Sequence, residues 1–169
     1  MKNRTKKVAY LGICVALAMV LAYVEVLLPP LVNSIPGIKL GLPNIVIIFV
    51  LYRFGFGSAA AVSLIRIAAV SLLFGNPMTF AYSVAGGVLS LCVMALLKRL
   101  DLFSTVGVSV AGGVLHNVGQ ILMAMLLLGT AEIGYYLIVL AVTGTVAGVA
   151  VGICGAVAIK RVPPIKDMK

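Results

Sequence analysis

The chain has no tryptophan, one histidine and only four acidic residues, Glu25, Asp101, Glu132 and Asp167, among its 169 residues. No two of these carboxylates lie close in sequence, so a Mg²⁺ diphosphate held between clustered aspartates has no evident site. No G-x-x-x-x-G-K-[ST] run occurs, which excludes nucleotide hydrolysis by that phosphate-cradling loop. Cys14, Cys92 and Cys154 fall singly inside apolar runs without metal-type spacing and read as small packing residues. No serine or cysteine nucleophile stands beside a base in a recognisable motif. The chain is therefore not read as an enzyme, and no catalytic residue, cofactor or metal site is expected.

What is abundant is apolar sequence: 63% of residues are hydrophobic and only 10% charged, with a mean hydropathy of +1.23. That composition describes an integral protein of the lipid bilayer. The net charge of +9 does not point to nucleic acid, because the basic residues stand singly or in pairs between apolar runs rather than on a patch with interleaved aromatics. A helix needs about 20 apolar residues to cross the hydrocarbon core. Six candidates are predicted, at 8–28, 40–54, 56–74, 78–97, 103–128 and 134–159, in one integral domain over 1–169. The start resembles a signal peptide but is read as an uncleaved first span, since removing it would spoil the charge pattern along the chain.

Eleven of the thirteen basic residues fall on one side of such a bundle. Lys2, Arg4, Lys6 and Lys7 precede the first span, Arg53 follows the second, Lys98 and Arg99 follow the fourth, and Lys160, Arg161, Lys166 and Lys169 follow the sixth. The positive-inside rule then places both termini in the cytoplasm. The second span is exceptional, because residues 35–44 carry two prolines, two glycines and a lysine. With Pro43 at the first helical position, the span runs only about 12 residues, roughly 18 Å, which is too short to cross. Irregular backbone at membrane depth survives only where protein covers it or where it lines a wet cavity. This segment is accordingly read as one wall of a binding site. The fold class expected is all-α, a six-transmembrane-helix bundle with a broken or short second helix.

Polar residues inside the spans are few, and each is expensive enough to suggest function. Glu25 lies near the outer end of the first span, Lys39 and Asn44 lie on the irregular segment, and Arg66 lies about 12 Å below the outer end of the third span. Glu25 either pairs with Arg66 or Lys39 to fix helix packing, or the three leave one surplus cation beside a helix N-terminus, which suits a carboxylate or phosphate. On the fifth span His116, Asn117 and Gln120 share a stripe with Gly113 that must face the interior. This stripe reads as a ligand-reading face, the alternative being a satisfied packing histidine with its neighbours. Tyr82 and Tyr135 belong either to an interfacial aromatic belt or to a stacking surface over a planar ligand. Small residues at four-residue spacing, Gly12 with Ala16, Ala18 with Ala22 and the ladder Gly144, Gly148, Gly152 and Ala156, let helices approach closely.

The order Glu25, then Pro36-Gly37-Ile38-Lys39-Leu40-Gly41-Leu42-Pro43-Asn44, Arg66, Tyr82-Ser83-Val84-Ala85-Gly86-Gly87 and His116-Asn117-Val118-Gly119-Gln120 resembles the bacterial Gx transporter family. Its members are often labelled heptaprenyl diphosphate synthase component I, and it is similar to the substrate-binding S components of energy-coupling factor (ECF) transporters. The resemblance covers nearly the whole chain. It implies a six-helix protein of the bacterial cytoplasmic membrane that captures a vitamin, cofactor or isoprenoid- or quinone-related precursor from outside. Its implied partners are a transmembrane coupling subunit and two cytoplasmic ATPases, docked through a first-helix A-x-x-x-A motif. Ala18 and Ala22 match that motif, with Gly12 and Ala16 as a second pair. The implied substrate region holds Lys39 to Asn44, Tyr82, Asn117 and Tyr135. Two rival readings are an accessory membrane subunit of heptaprenyl diphosphate synthase, as the label says, and a membrane scaffold.

Overall fold

The computed structural model describes residues 2–27 and 41–163. Six α-helices follow one another: α1 (Lys2–Leu27), α2 (Asn44–Phe54), α3 (Phe56–Phe74), α4 (Pro77–Leu100), α5 (Thr105–Leu128) and α6 (Leu137–Arg161). A 3-10 turn, Glu132–Tyr136, leads into α6, and there is no strand among the described residues. Four helices, α1, α3, α4 and α5, and the stretch from the 3-10 turn through α6 are long and apolar enough to cross a bilayer. The second helix is not, since its 11 residues reach only about 16 Å.

Helix boundaries follow local chemistry. The expected fourth span lengthens to Pro77–Leu100; its start is fixed by Asn76 and Thr79, which form a reciprocal capping box, each side-chain oxygen accepting the other's backbone N–H at 2.9 Å. The expected sixth span shortens at its start, because residues 134–136 belong to the 3-10 turn. Pro43 sits one residue before α2 rather than at its first position, with φ −60°. Two tight turns prepare it, Asn44 donating to the Gly41 carbonyl at 2.8 Å and Ile45 to that of Leu42 at 3.1 Å.

Short as it is, α2 forms the core. Six successive residues, Val46, Ile47, Ile48, Phe49, Val50 and Leu51, are all buried, and a helix that is apolar all round has protein on every side. It packs against α1, α3 and α6. Gly55 alone joins α2 to α3, at φ 84° and ψ 179°, a conformation open essentially to glycine only. The other half of the bundle is built on α5, which lies between α4 and α6. A Cβ at Gly113 would meet the Gly144 carbonyl oxygen at 2.6 Å, so α5 and α6 touch backbone to backbone.

One end of the bundle gathers the cations. Arg53 Nη2 donates to the carbonyls of Ile159 and Val162 at the end of α6. Lys98 Nζ donates to the Leu51 carbonyl at 2.7 Å and lies 5.1 Å from the Tyr52 ring centroid. Tyr10 packs on Phe54 with ring centroids 5.5 Å apart. The C-termini of α2, α4 and α6 thus share one end with the basic start of α1. Cations suit helix C-termini, where orphan carbonyls and the negative end of the dipole lie.

Candidate functional site

Asn44 precedes Gly55 by 11 positions and Arg66 follows it by 11. Since Gly55 is the turn between α2 and α3, both residues stand about 16 Å above it, at half-depth in the bundle. The N-terminus of α2, with its partial positive charge, therefore lies level with the Arg66 guanidinium.

A cavity of about 100 Å³ opens at this level. Glu25 and Ala22 of α1 line it, as do Gly41, Pro43 and Asn44 before and at the start of α2, and Arg66 and Ser71 of α3. From the other half of the bundle come Ser83 and Ser90 of α4, Ser109, His116, Asn117 and Gln120 of α5, and Gly144 and Gly148 of α6. So many polar groups inside an apolar bundle have only this cavity or one another to face.

Six of the residues expected at the site, Glu25, Asn44, Arg66, His116, Asn117 and Gln120, meet around this one space. The Glu25 carboxylate accepts the Gly41 N–H at 2.5 Å and so holds the chain as it enters α2. Asn117 Nδ2 donates to the Leu140 carbonyl at 2.6 Å, tying α5 to α6. His116 and Gln120 are reached closely by α4 because Gly86 stands opposite them: a Cβ there would lie 2.6 Å from the His116 carbonyl oxygen and 2.9 Å from Gln120 Cγ. Arg66 is the exception in this set, because its Nε is buried without a hydrogen-bond partner.

Other expected residues lie elsewhere. Tyr82 does not line the cavity, and Tyr135 is 83% exposed on the 3-10 turn. Neither tyrosine therefore walls the cavity, and the exposure of Tyr135 on the 3-10 turn fits the alternative of an interfacial aromatic belt. Lys39 lies outside the described residues. Of the two small pairs on α1, Ala18 and Ala22 are buried within the chain's own core, which removes them from any outer docking face, whereas Gly12 and Ala16 are exposed. Among the described residues no three His, Cys, Asp or Glu side chains cluster as metal ligands would.

Four serines, Ser71, Ser83, Ser90 and Ser109, also line the cavity and were not singled out by sequence. Their signal was periodic: Ser83 and Ser90 are seven apart, and Ser109 precedes Gly113 by four on the stripe of His116 and Gln120.

Comparison with known proteins gives one family. The model described as heptaprenyl diphosphate synthase component I matches residues 14–158. No curated protein and no solved structure matches the chain.

Proposed function

This chain belongs to the heptaprenyl diphosphate synthase component I family, and from that membership and its polar cavity we propose that it is a substrate-binding membrane subunit of an ECF-type importer. It captures a small molecule from outside, a vitamin, cofactor or isoprenoid- or quinone-related precursor. A partner module of one transmembrane coupling subunit and two ATPases then drives release inside. The termini and the cation-rich end lie in the cytoplasm, as the basic residues at that end favour, so the N-terminal end of α2 points toward the outside.

The observation that carries this reading is the polar cavity at half-depth, assembled from all six helices within a bundle of apolar exterior. Buried polar lining without a use would cost stability for nothing, and a solute-binding role accounts for it. The exposed Gly12 and Ala16 pair supplies a face on α1 where another helix approaches closely.

A second reading is favoured by the family's description, namely an accessory membrane subunit of heptaprenyl diphosphate synthase. Isolation of the native complex from mild detergent separates the two. The importer reading expects coupling and ATPase subunits to co-purify. A soluble prenyl synthase as the sole stable partner would overturn it in favour of the second.

A further inference from the structure

Arg66 stands within an apolar span, about 15 Å from the start of α3, where its head cannot reach water by extending along the helix. Such a cation is costly unless something pairs with it. Glu25 is the acidic residue of the cavity, and its carboxylate accepts from the Gly41 backbone. Glu25 acts on Arg66 electrostatically, yet Arg66 Nε remains buried with no hydrogen-bond partner.

The Nε–H and the neighbouring Nη–H form the side-on fork of a guanidinium, whose two parallel donors match two oxygens of one carboxylate or phosphate. The α2 N-terminus at the same depth adds a positive partial charge. Its first amides are already bonded within the turns at Gly41 and Leu42, so of these two positive groups it is Arg66 that offers a free N–H. The size of the cavity limits what enters. At about 100 Å³ it takes a head group, whereas pockets that enclose whole drug-sized ligands run to ~300–1,000 Å³.

We infer that Arg66 is the receptor for a terminal oxyanion, a carboxylate or phosphate at the end of the transported molecule, which enters head first to half-depth. This rests on the binding reading above and names its substrate class. An internal or sterically hindered acid is excluded by the size of the cavity, and a neutral molecule leaves the Arg66 fork unpaired.

The test uses the full chain in lipid nanodiscs, with inorganic phosphate, butyrate and butyramide as probes at equal ionic strength set by chloride. Thermal melting is followed against probe concentration. A saturable rise is expected with phosphate or butyrate and none with butyramide, and the tighter anion identifies the head group. Arg66→Gln should weaken that anion at least tenfold. Arg66→Lys, which keeps the charge and loses the Nε fork, should weaken it to a similar degree. An unchanged affinity in either variant overturns the site, as does a response to butyramide equal to that to butyrate. If Arg66→Gln does not fold while Arg66→Lys binds like the parent, Arg66 is a packing charge and the inference fails. Loss of the anion response while coupling and ATPase subunits still co-purify overturns the Arg66 site alone. Anion binding that persists without those subunits overturns the importer instead.

Discussion

Gly113→Ala is the sharpest test of how the bundle is held together. The new Cβ would lie 2.6 Å from the Gly144 carbonyl oxygen, whereas ordinary contact begins near 3.4 Å, so α5 and α6 must part by about 0.8 Å. The obstacle is backbone and cannot swing aside. Overpacking of this kind costs ~1–3 kcal/mol, and the same seam carries the Asn117 to Leu140 hydrogen bond, whose weakening adds up to ~1 kcal/mol. Alanine's better helix propensity returns ~1 kcal/mol. The expected net loss is thus ~0–3 kcal/mol. Gly12→Ala is the control, because a Cβ there meets nothing within 4 Å and should gain up to ~1 kcal/mol. Reversible unfolding in mixed micelles, with sodium dodecyl sulfate as denaturant and helicity as the signal, measures both. Equal stability of the two variants would refute backbone contact between α5 and α6 as a source of stability.

Two further outcomes follow from single positions. Gly55→Ala should cost ~1–3 kcal/mol in the same unfolding assay, because the α2–α3 turn requires φ 84° with ψ 179°. A neutral effect would mean that the turn relaxes to a conformation other than the one described. Asn117→Ala should cost ~0.5–1.5 kcal/mol and no more, since Thr143 Oγ1 also donates to the Leu140 carbonyl, at 3.2 Å, and keeps it bonded. A loss beyond ~3 kcal/mol would show that Asn117 supports more of the seam than this one bond.

The helices were legible in the sequence because lipid leaves little choice: apolar runs must be helical and their polar members must face inward. That constraint also brought Glu25, Arg66, His116 and Gln120 to one space although they are far apart in the chain. The short second helix was visible in Pro43, because proline stops the helix from extending upward. Less legible were features that turn on which of two similar faces looks inward. Ala18 with Ala22 and Gly12 with Ala16 have the same spacing, and only packing against α2 and α3 decides which pair is buried. The cavity serines are hard to read from sequence, because a serine in an apolar helix commonly bonds its own backbone and so need not face inward. Tyr135 is less legible because residues 134–136 read as the start of the sixth span, while the chain there is a 3-10 turn.

The clasp at the cation-rich end sets how the molecule can deform. Arg53 holds the last turn of α6 and Lys98 holds the last turn of α2, so three helices are fixed to one another at that end. At the opposite end of α1 the Glu25 carboxylate accepts the N–H of Gly41, just before α2. If a solute enters as the importer reading proposes, these clasped helices open from the far end, like the arms of tweezers about their joint. Arg66, midway along such an arm, moves by only about half of the opening at the tips. An oxyanion held by Arg66, as inferred above, would thus be displaced about half as far as the helix tips.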